Sequence, residues 1–323
     1  MTASRAEGWG PVRIGGQLVE PGDRLTFDLP VALLPTHTQL HIPVCVVHGR
    51  RPGPRVWVSA AVHGDELNGV EIISRVIAQV GEEEPLLRGT LVAVPIVNVF
   101  GFIGQSRYLP DRRDLNRSFP GSNKGALASR IAHLFMTEIV DGCTHGIDLH
   151  TASLDRSNLP QVRGDFSDRR VRDLAEAFGA PVALDSATRS GSLRGAAGRL
   201  GIPVIVYEGG AALRFNESAI EVGVRGVQDV LRSLGMLKGR KRKPRPCQFL
   251  GKSSWVRARK GGLLRLSAQE GDSVEKGQRI GSVADPLGAD RTPIRAPFDG
   301  VVVGASLNPI VHAGDALVHV AQR

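Results

Sequence analysis

Short, nearly continuous apolar runs alternate with helical stripes over the first two thirds of the chain. Residues 55–62, 90–97, 146–150 and 202–208 read as strands. Several lack polar alternation, which predicts strands covered on both faces. Leu127, Ile131, Leu134 and Phe135 fall on one stripe within residues 126–140. Val171, Leu174 and Phe178 repeat that spacing within 169–178, and Gly179 follows as a natural stop. A third helix is predicted after Asn216 as N-cap, with Ile220, Val224, Val227, Leu231 and Leu234 on its apolar face and Gly235 at its end. Strands alternating with helices predict an α/β fold: a mixed sheet with helices on both faces. The first fifty residues are β-like and turn-rich.

After Cys247 the helical signal vanishes. Stretches 262–267, 279–284, 300–305 and 316–321 alternate with Gly-Asp, Gly-Gln, Asp-Gly and Ala-Gly-Asp turn signals, which predicts a small all-β unit. The phrase from Glu270 to Gln278, followed by Ala296-Pro297-Phe298-Asp299-Gly300, resembles the biotinyl/lipoyl-type barrel-sandwich domain. Such a carrier needs a lysine at its hairpin tip. Here the tip, residues 284–291, contains none, so the unit reads as a structural or site-bordering appendage. The expected organisation is therefore a β-rich N-terminal segment (1–50), an α/β domain (51–237), a basic connector (238–246) and the small β domain (247–323).

Composition narrows the function classes. The 323 residues are 41% hydrophobic and 23% charged, ordinary for a folded globular chain. No window approaches the roughly 20 apolar residues of a membrane span, and the N-terminus lacks the apolar core of a secretory signal. Cys45, Cys143 and Cys247 are odd in number and widely spaced, so free thiols in a reducing cytoplasm are expected. The formal net charge is +9. Much of that excess sits in Lys238, Arg240, Lys241, Arg242, Lys243 and Arg245, a run without the interleaved aromatics that stack nucleic-acid bases. It reads as a solvated connector, and no nucleic-acid partner is expected. A polyanion-binding protein with a vestigial metal site is the alternative from another class, and salt-sensitive association through the run would reveal it. The basic balance weakly favours an anionic substrate.

Four elements carry candidate chemistry. His63-Gly64-Asp65-Glu66 is a His-x-x-Glu at a strand–helix junction, where two side chains three apart can converge on one ion. Alone, it reads equally as a satisfied buried or surface pair. Ile147-Asp148-Leu149-His150 places an imidazole at the carboxyl end of a strand, where α/β sheets build their sites. His150 is thus either a third ligand or a loop cap, while His145 precedes the strand and falls at the wrong end. Two imidazoles and a carboxylate leave zinc's fourth position open, the pattern of a catalytic site. Glu208 ends another apolar strand before Gly209-Gly210, as a turn acid or as a general base. The Arg107–Gly121 stretch combines arginine forks with Asn116, suited either to a substrate carboxylate or to a solvated charged loop.

Taken in order, His63-x-x-Glu66, Asp114-Leu115-Asn116-Arg117, Asp148-Leu149-His150 and Glu208-Gly209-Gly210 resemble the succinylglutamate desuccinylase/aspartoacylase family of the zinc carboxypeptidase clan, over about residues 55–235. The resemblance implies one Zn²⁺ per chain on His63, Glu66 and His150, with Glu208 as base. It implies Arg107 as polariser of the scissile carbonyl, with Arg112 and Arg113 as alternatives. Asn116 and Arg117 would grip the substrate carboxylate, and Asp114 would bond the far nitrogen of His63. Arg163 and Arg194, expected in loops bordering the site, would read the acyl side or serve as surface charges. The expected activity is zinc-dependent hydrolysis of a small anionic N-acyl amino acid or related amide. A carboxypeptidase acting on small peptides is the alternative. Ligand type alone also accommodates Mn or Co. A homo-oligomer is compatible with the sequence, which does not specify one.

Overall fold

The computed structural model describes residues 9–80, 85–238 and 246–323, so most of the basic connector lies outside the described residues. The first half of the chain runs β1 (Val12–Ile14), β2 (Gln17–Val19), β3 (Arg24–Leu33), β4 (Gln39–His48), β5 (Arg55–Ala60), α1 (Asn68–Gln79), β6 (Thr90–Val94), α2 (Val99–Ile103), α3 (Leu127–Phe135) and β7 (His145–Ala152). It continues through β8 (Arg156–Gly164), α4 (Arg169–Phe178), β9 (Val182–Asp185), α5 (Leu193–Arg199), β10 (Val204–Ala211) and α6 (Glu217–Ser233). The C-terminal strands are β11 (Gln248–Leu250), β12 (Ser253–Arg257), β13 (Gly262–Leu266), β14 (Ser273–Val274), β15 (Arg279–Ala284), β16 (Arg291–Arg295), β17 (Gly300–Ser306), β18 (Ile310–Val311) and β19 (Ala316–Gln322).

Every strand expected from the apolar runs is present, most with shifted ends. β5 stops at Ala60 because Ala61 takes φ 47°, outside strand geometry. β6 stops at Val94, before Pro95. The helix expected over 126–140 is α-helical only to Phe135 and closes with a π-helical turn, Met136–Val140. Asn216 is the N-cap of α6, yet its side chain bonds the Ala211 amide at 2.9 Å rather than the helix.

β10, β7, β5 and β6 form a parallel quartet at the centre of a mixed sheet. β4 and β3 extend it antiparallel on one side, and β8 on the other. Two apolar layers cover the quartet. Ile72, Leu174, Phe178, Val227 and Leu231 from α1, α4 and α6 close one face. Ile131 and Phe135 of α3, Leu193 of α5 and Ile14 of β1 close the other. Burial on both faces explains the unbroken apolar runs. The C-terminal β unit has its own core, including Leu264, Ile280, Ile294 and Leu317. It is joined to the main sheet, because β17 pairs antiparallel with β8 and carries β19 and β12 beyond it.

Candidate active site

The bend at Ala61 turns His63-Gly64-Asp65-Glu66 into the connection between β5 and α1, at the carboxyl edge of the parallel quartet. The bend is tied down by the Val97 and Asn98 amides, which donate to the Ala60 and Ala61 carbonyls at 3.1 and 2.9 Å. Gly64 is required here. A Cβ at that position would fall 1.8 Å from the Gly101 carbonyl carbon, so only the bare backbone seats against α2. His150 lies within β7, two residues beyond Asp148, and the two-residue repeat of a strand puts both side chains on one face.

These elements bring His63, Glu66 and His150 together as expected, all buried, with ligand atoms within 4.8 Å of one another. His63 Nδ1 lies 2.7 Å from Glu66 Oε1, and His150 Nδ1 lies 2.7 Å from Glu66 Oε2. The far nitrogens also face carboxylates. His150 Nε2 is 2.8 Å from Asp148 Oδ2, and Asp148 accepts the Ser59 hydroxyl on its other oxygen at 2.8 Å. His63 Nε2 is 3.3 Å from Asp114 Oδ1, close in charge terms but without hydrogen-bond alignment. Burial opposes charge on Glu66, yet the two imidazoles hold it well below the usual carboxylate range. Burial likewise lowers both histidines, but the carboxylates outweigh it: Glu66 and Asp114 raise His63, and Asp148 and Glu66 raise His150.

Two imidazole nitrogens and one carboxylate, converging where all three side chains are buried, are a donor set that zinc accepts. Outer carboxylates behind both rings are the feature that orients imidazole ligands in metal centres. The residues present therefore fit a divalent cation.

Glu208 lies on β10 directly opposite His150 in the register with β7. Its Oε1 is 3.3 Å from Arg163 Nη1, and its Oε2 accepts a hydrogen bond from Asn158 Nδ2 at 2.9 Å. Arg107 joins the cluster, donating to Asp114 Oδ2 at 2.8 Å with its Nη1 3.5 Å from Glu66 Oε1. Arg112 and Arg113, by contrast, are exposed. Asn116 and Arg117 sit in a single 3-10 turn capped by Asp114. The Asn116 side-chain oxygen accepts the Leu193 amide at 2.9 Å, which leaves its amide NH₂ to donate elsewhere. Arg117 is exposed.

Arg163 and Arg194, expected in loops bordering the site, are not in loops. Arg163 is in β8, beside β10, because residues 156–164 form a strand inside the sheet. Arg194 is on α5, and its guanidinium donates to Ser186 Oγ and to the Ser186 and Ala187 carbonyls at 3.0–3.1 Å. Its charge is disfavoured by burial and by Arg163 nearby. The structure also supplies residues that the sequence reading left without a role. Asp148 was visible in the motif, and its spacing from His150 was the usable signal. Ser59 and Asn158 carry no local signature, because each reaches its partner across strands far apart in sequence.

A profile of the succinylglutamate desuccinylase/aspartoacylase catalytic domain matches residues 52–234. Among characterised proteins, the N-alpha-acetyl-L-2,4-diaminobutyric acid deacetylase of Halomonas elongata is 28% identical over 87% of this chain and 85% of that protein. The crystal structure of a succinylglutamate desuccinylase/aspartoacylase from Rhodobacter sphaeroides superposes with a TM-score of 0.81, at 26% identity over 93% of this chain and 95% of that one. The product-bound ectoine utilization protein EutE (DoeB) of Ruegeria pomeroyi shares the fold, with a TM-score of 0.83 and 23% identity over 93% of this chain and 95% of that chain.

Proposed function

Since the chain belongs to the succinylglutamate desuccinylase/aspartoacylase family and is an amidohydrolase, we propose that it is a zinc-dependent deacylase of small N-acyl amino acids. The observation that carries this reading is the register of β10 against β7. It pairs Glu208 with His150 across neighbouring strands, on the same sheet face as a member of the His63/Glu66/His150 donor set.

His63, Glu66 and His150 would hold the ion, which when bound supplies a Lewis acid and water acidified towards a pKa of about 7. Glu208 accepts a proton from the attacking water and returns it to the leaving nitrogen. Arg107 donates to the carbonyl oxygen as negative charge develops there, and its Asp114 partner keeps the guanidinium aimed. The Asn116 amide and the Arg117 guanidinium take the α-carboxylate. Arg163, with Arg194 behind it, makes the side of the site next to Glu208 cationic. Arg194 acts there through its field, since its donors are engaged by Ser186 and Ala187 ahead of α5.

The Halomonas relative makes Nα-acetyl-L-2,4-diaminobutyrate the first substrate to assay. Glu208→Gln is expected to lower its turnover by roughly 10²–10⁴, while metal analysis still finds one zinc per chain. Full activity in that variant overturns Glu208 as the base. Faster hydrolysis of blocked dipeptides than of N-acyl amino acids would instead select the carboxypeptidase reading.

A further inference from the structure

Glu208 is held by two partners: the Arg163 guanidinium, an ion pair at 3.3 Å, and a neutral side chain that donates a hydrogen bond. That side chain, Asn158, is 4% exposed and donates Nδ2 to Glu208 Oε2 at 2.9 Å. Asn158 sits in β8 between two strands of different origin. On one side it pairs with Gly210 of β10, just past Glu208. On the other it pairs with Gly304 of β17, in the C-terminal β unit. A Cβ on Gly304 would lie 2.8 Å from Asn158 Oδ1 and 3.0 Å from the Ser157 carbonyl, so the amide occupies space that only a glycine leaves free. The same row continues to His319 of β19, which stacks on Trp255 of β12 and closes the far side of that gap. Next to the row, Gln161 is fully buried, pairs with Glu208 in register and donates to the Val303 carbonyl at 2.9 Å.

We infer that Asn158 is a positioning residue for the Glu208 carboxylate, and that the C-terminal β unit, through the bare backbone of Gly304, fixes Asn158 in that task. The inference rests on the reading of Glu208 as the base. The directional hydrogen bond from Asn158 on Oε2, together with the Arg163 cation beside Oε1, fixes the plane of the group, whereas the Arg163 ion pair alone would leave it free to turn. A general base works only within hydrogen-bond reach and correct alignment of the proton it takes. The C-terminal unit therefore contributes to the chemistry without supplying a reacting group.

The test is steady-state turnover of Nα-acetyl-L-2,4-diaminobutyrate by the zinc-loaded full chain, in Asn158→Ala, Gly304→Ala and the double variant. Loss of a hydrogen bond to a charged group predicts a fall in kcat of roughly ten- to a hundredfold for Asn158→Ala, with KM within about twofold. Gly304→Ala is expected to lower kcat in the wild-type background and to add nothing in the Asn158→Ala background, because both act through one contact. Wild-type kcat in Asn158→Ala, with Glu208→Gln inactive, overturns the positioning role and leaves the base intact. Activity in Glu208→Gln overturns the base itself. Independent, additive effects of the two substitutions overturn the link through Gly304. Asn158→Asp is isosteric and guards against misfolding: it removes the donor, faces Glu208 with a like charge, and is expected to lose at least as much kcat. The Gly304–Asn158 coupling is also readable in urea unfolding of the same variants, which needs no turnover, and additivity there contradicts it as well.

Discussion

His150 is gripped from both ends, by Glu66 on Nδ1 and by Asp148 on Nε2. Asp148 is itself fixed by Ser59, so the ring has one orientation in which Nδ1 faces the candidate metal position. Asp148→Asn keeps the shape and removes the charge behind the ring. Zinc affinity is expected to fall roughly 10- to 100-fold, measured by competition with a chelator, and an unchanged affinity contradicts the orienting role. His319 offers a separate test of burial. Desolvation first, and Arg163 second, push its imidazole down to about 3. The unfolded chain binds a proton on this residue below about pH 6.5 and the folded chain does not, so stability falls with pH between about 6.5 and about 3. The loss is at most about 1.4 kcal/mol per pH unit. His319→Gln is expected to flatten the dependence of the urea midpoint on pH between about 6 and about 4; a slope identical to wild type contradicts it. At this scale, the residues whose chemistry declares itself locally were legible in sequence: the His-x-x-Glu pair, His150, Glu208. Ser59 and Asn158 were not, because a serine or an asparagine acquires meaning only from the strand placed beside it.

The junction between β5 and α1 depends on backbone shape as much as on side chains. Gly64 lies against Gly101 of α2, and a methyl group there would run into the Gly101–Phe102 backbone. Backbone cannot step aside as a side chain can. Gly64→Ala is therefore expected to displace the His63–Glu66 loop, lowering both the melting temperature and the zinc content; retention of both would contradict this account of the loop. Asn68 at the start of α1 adds a second fixation, donating to the Gly209 carbonyl at 2.9 Å and accepting the Asn216 amide at 3.0 Å. One side chain thereby ties α1, the end of β10 and the start of α6 together. Elements with strong stripes, such as α4 and α6, were legible in the sequence. The strand–helix junction at His63–Glu66 implies α1, but not its extent, although Ile72, Ile73 and Val76 form its buried face. The first fifty residues read as β-like, but the sequence does not place the antiparallel pair β3 and β4 within them. Its exposed and half-buried positions in β3 give no continuous apolar run to detect.

For the whole molecule, the sequence carried the division into an α/β part and a C-terminal β part, since the periodicity changes after Cys247. It did not carry their union. The pairing of β17 with β8 joins residues near 157 to residues near 305, and no local pattern encodes such a contact. That union places the β unit's backbone behind the strand that holds Glu208. Among the described residues, no helix is long and apolar enough to cross a membrane. The central claim is that His63, Glu66 and His150, drawn from two loci of this sheet, close on one divalent cation beside Glu208. The most direct measurement is an anomalous difference map at the zinc edge from crystals of the zinc-loaded protein. One peak is expected, about 2.0–2.2 Å from Nδ1 of His63, Nδ1 of His150 and a Glu66 carboxylate oxygen. A fully active protein with no peak between those three side chains would contradict it.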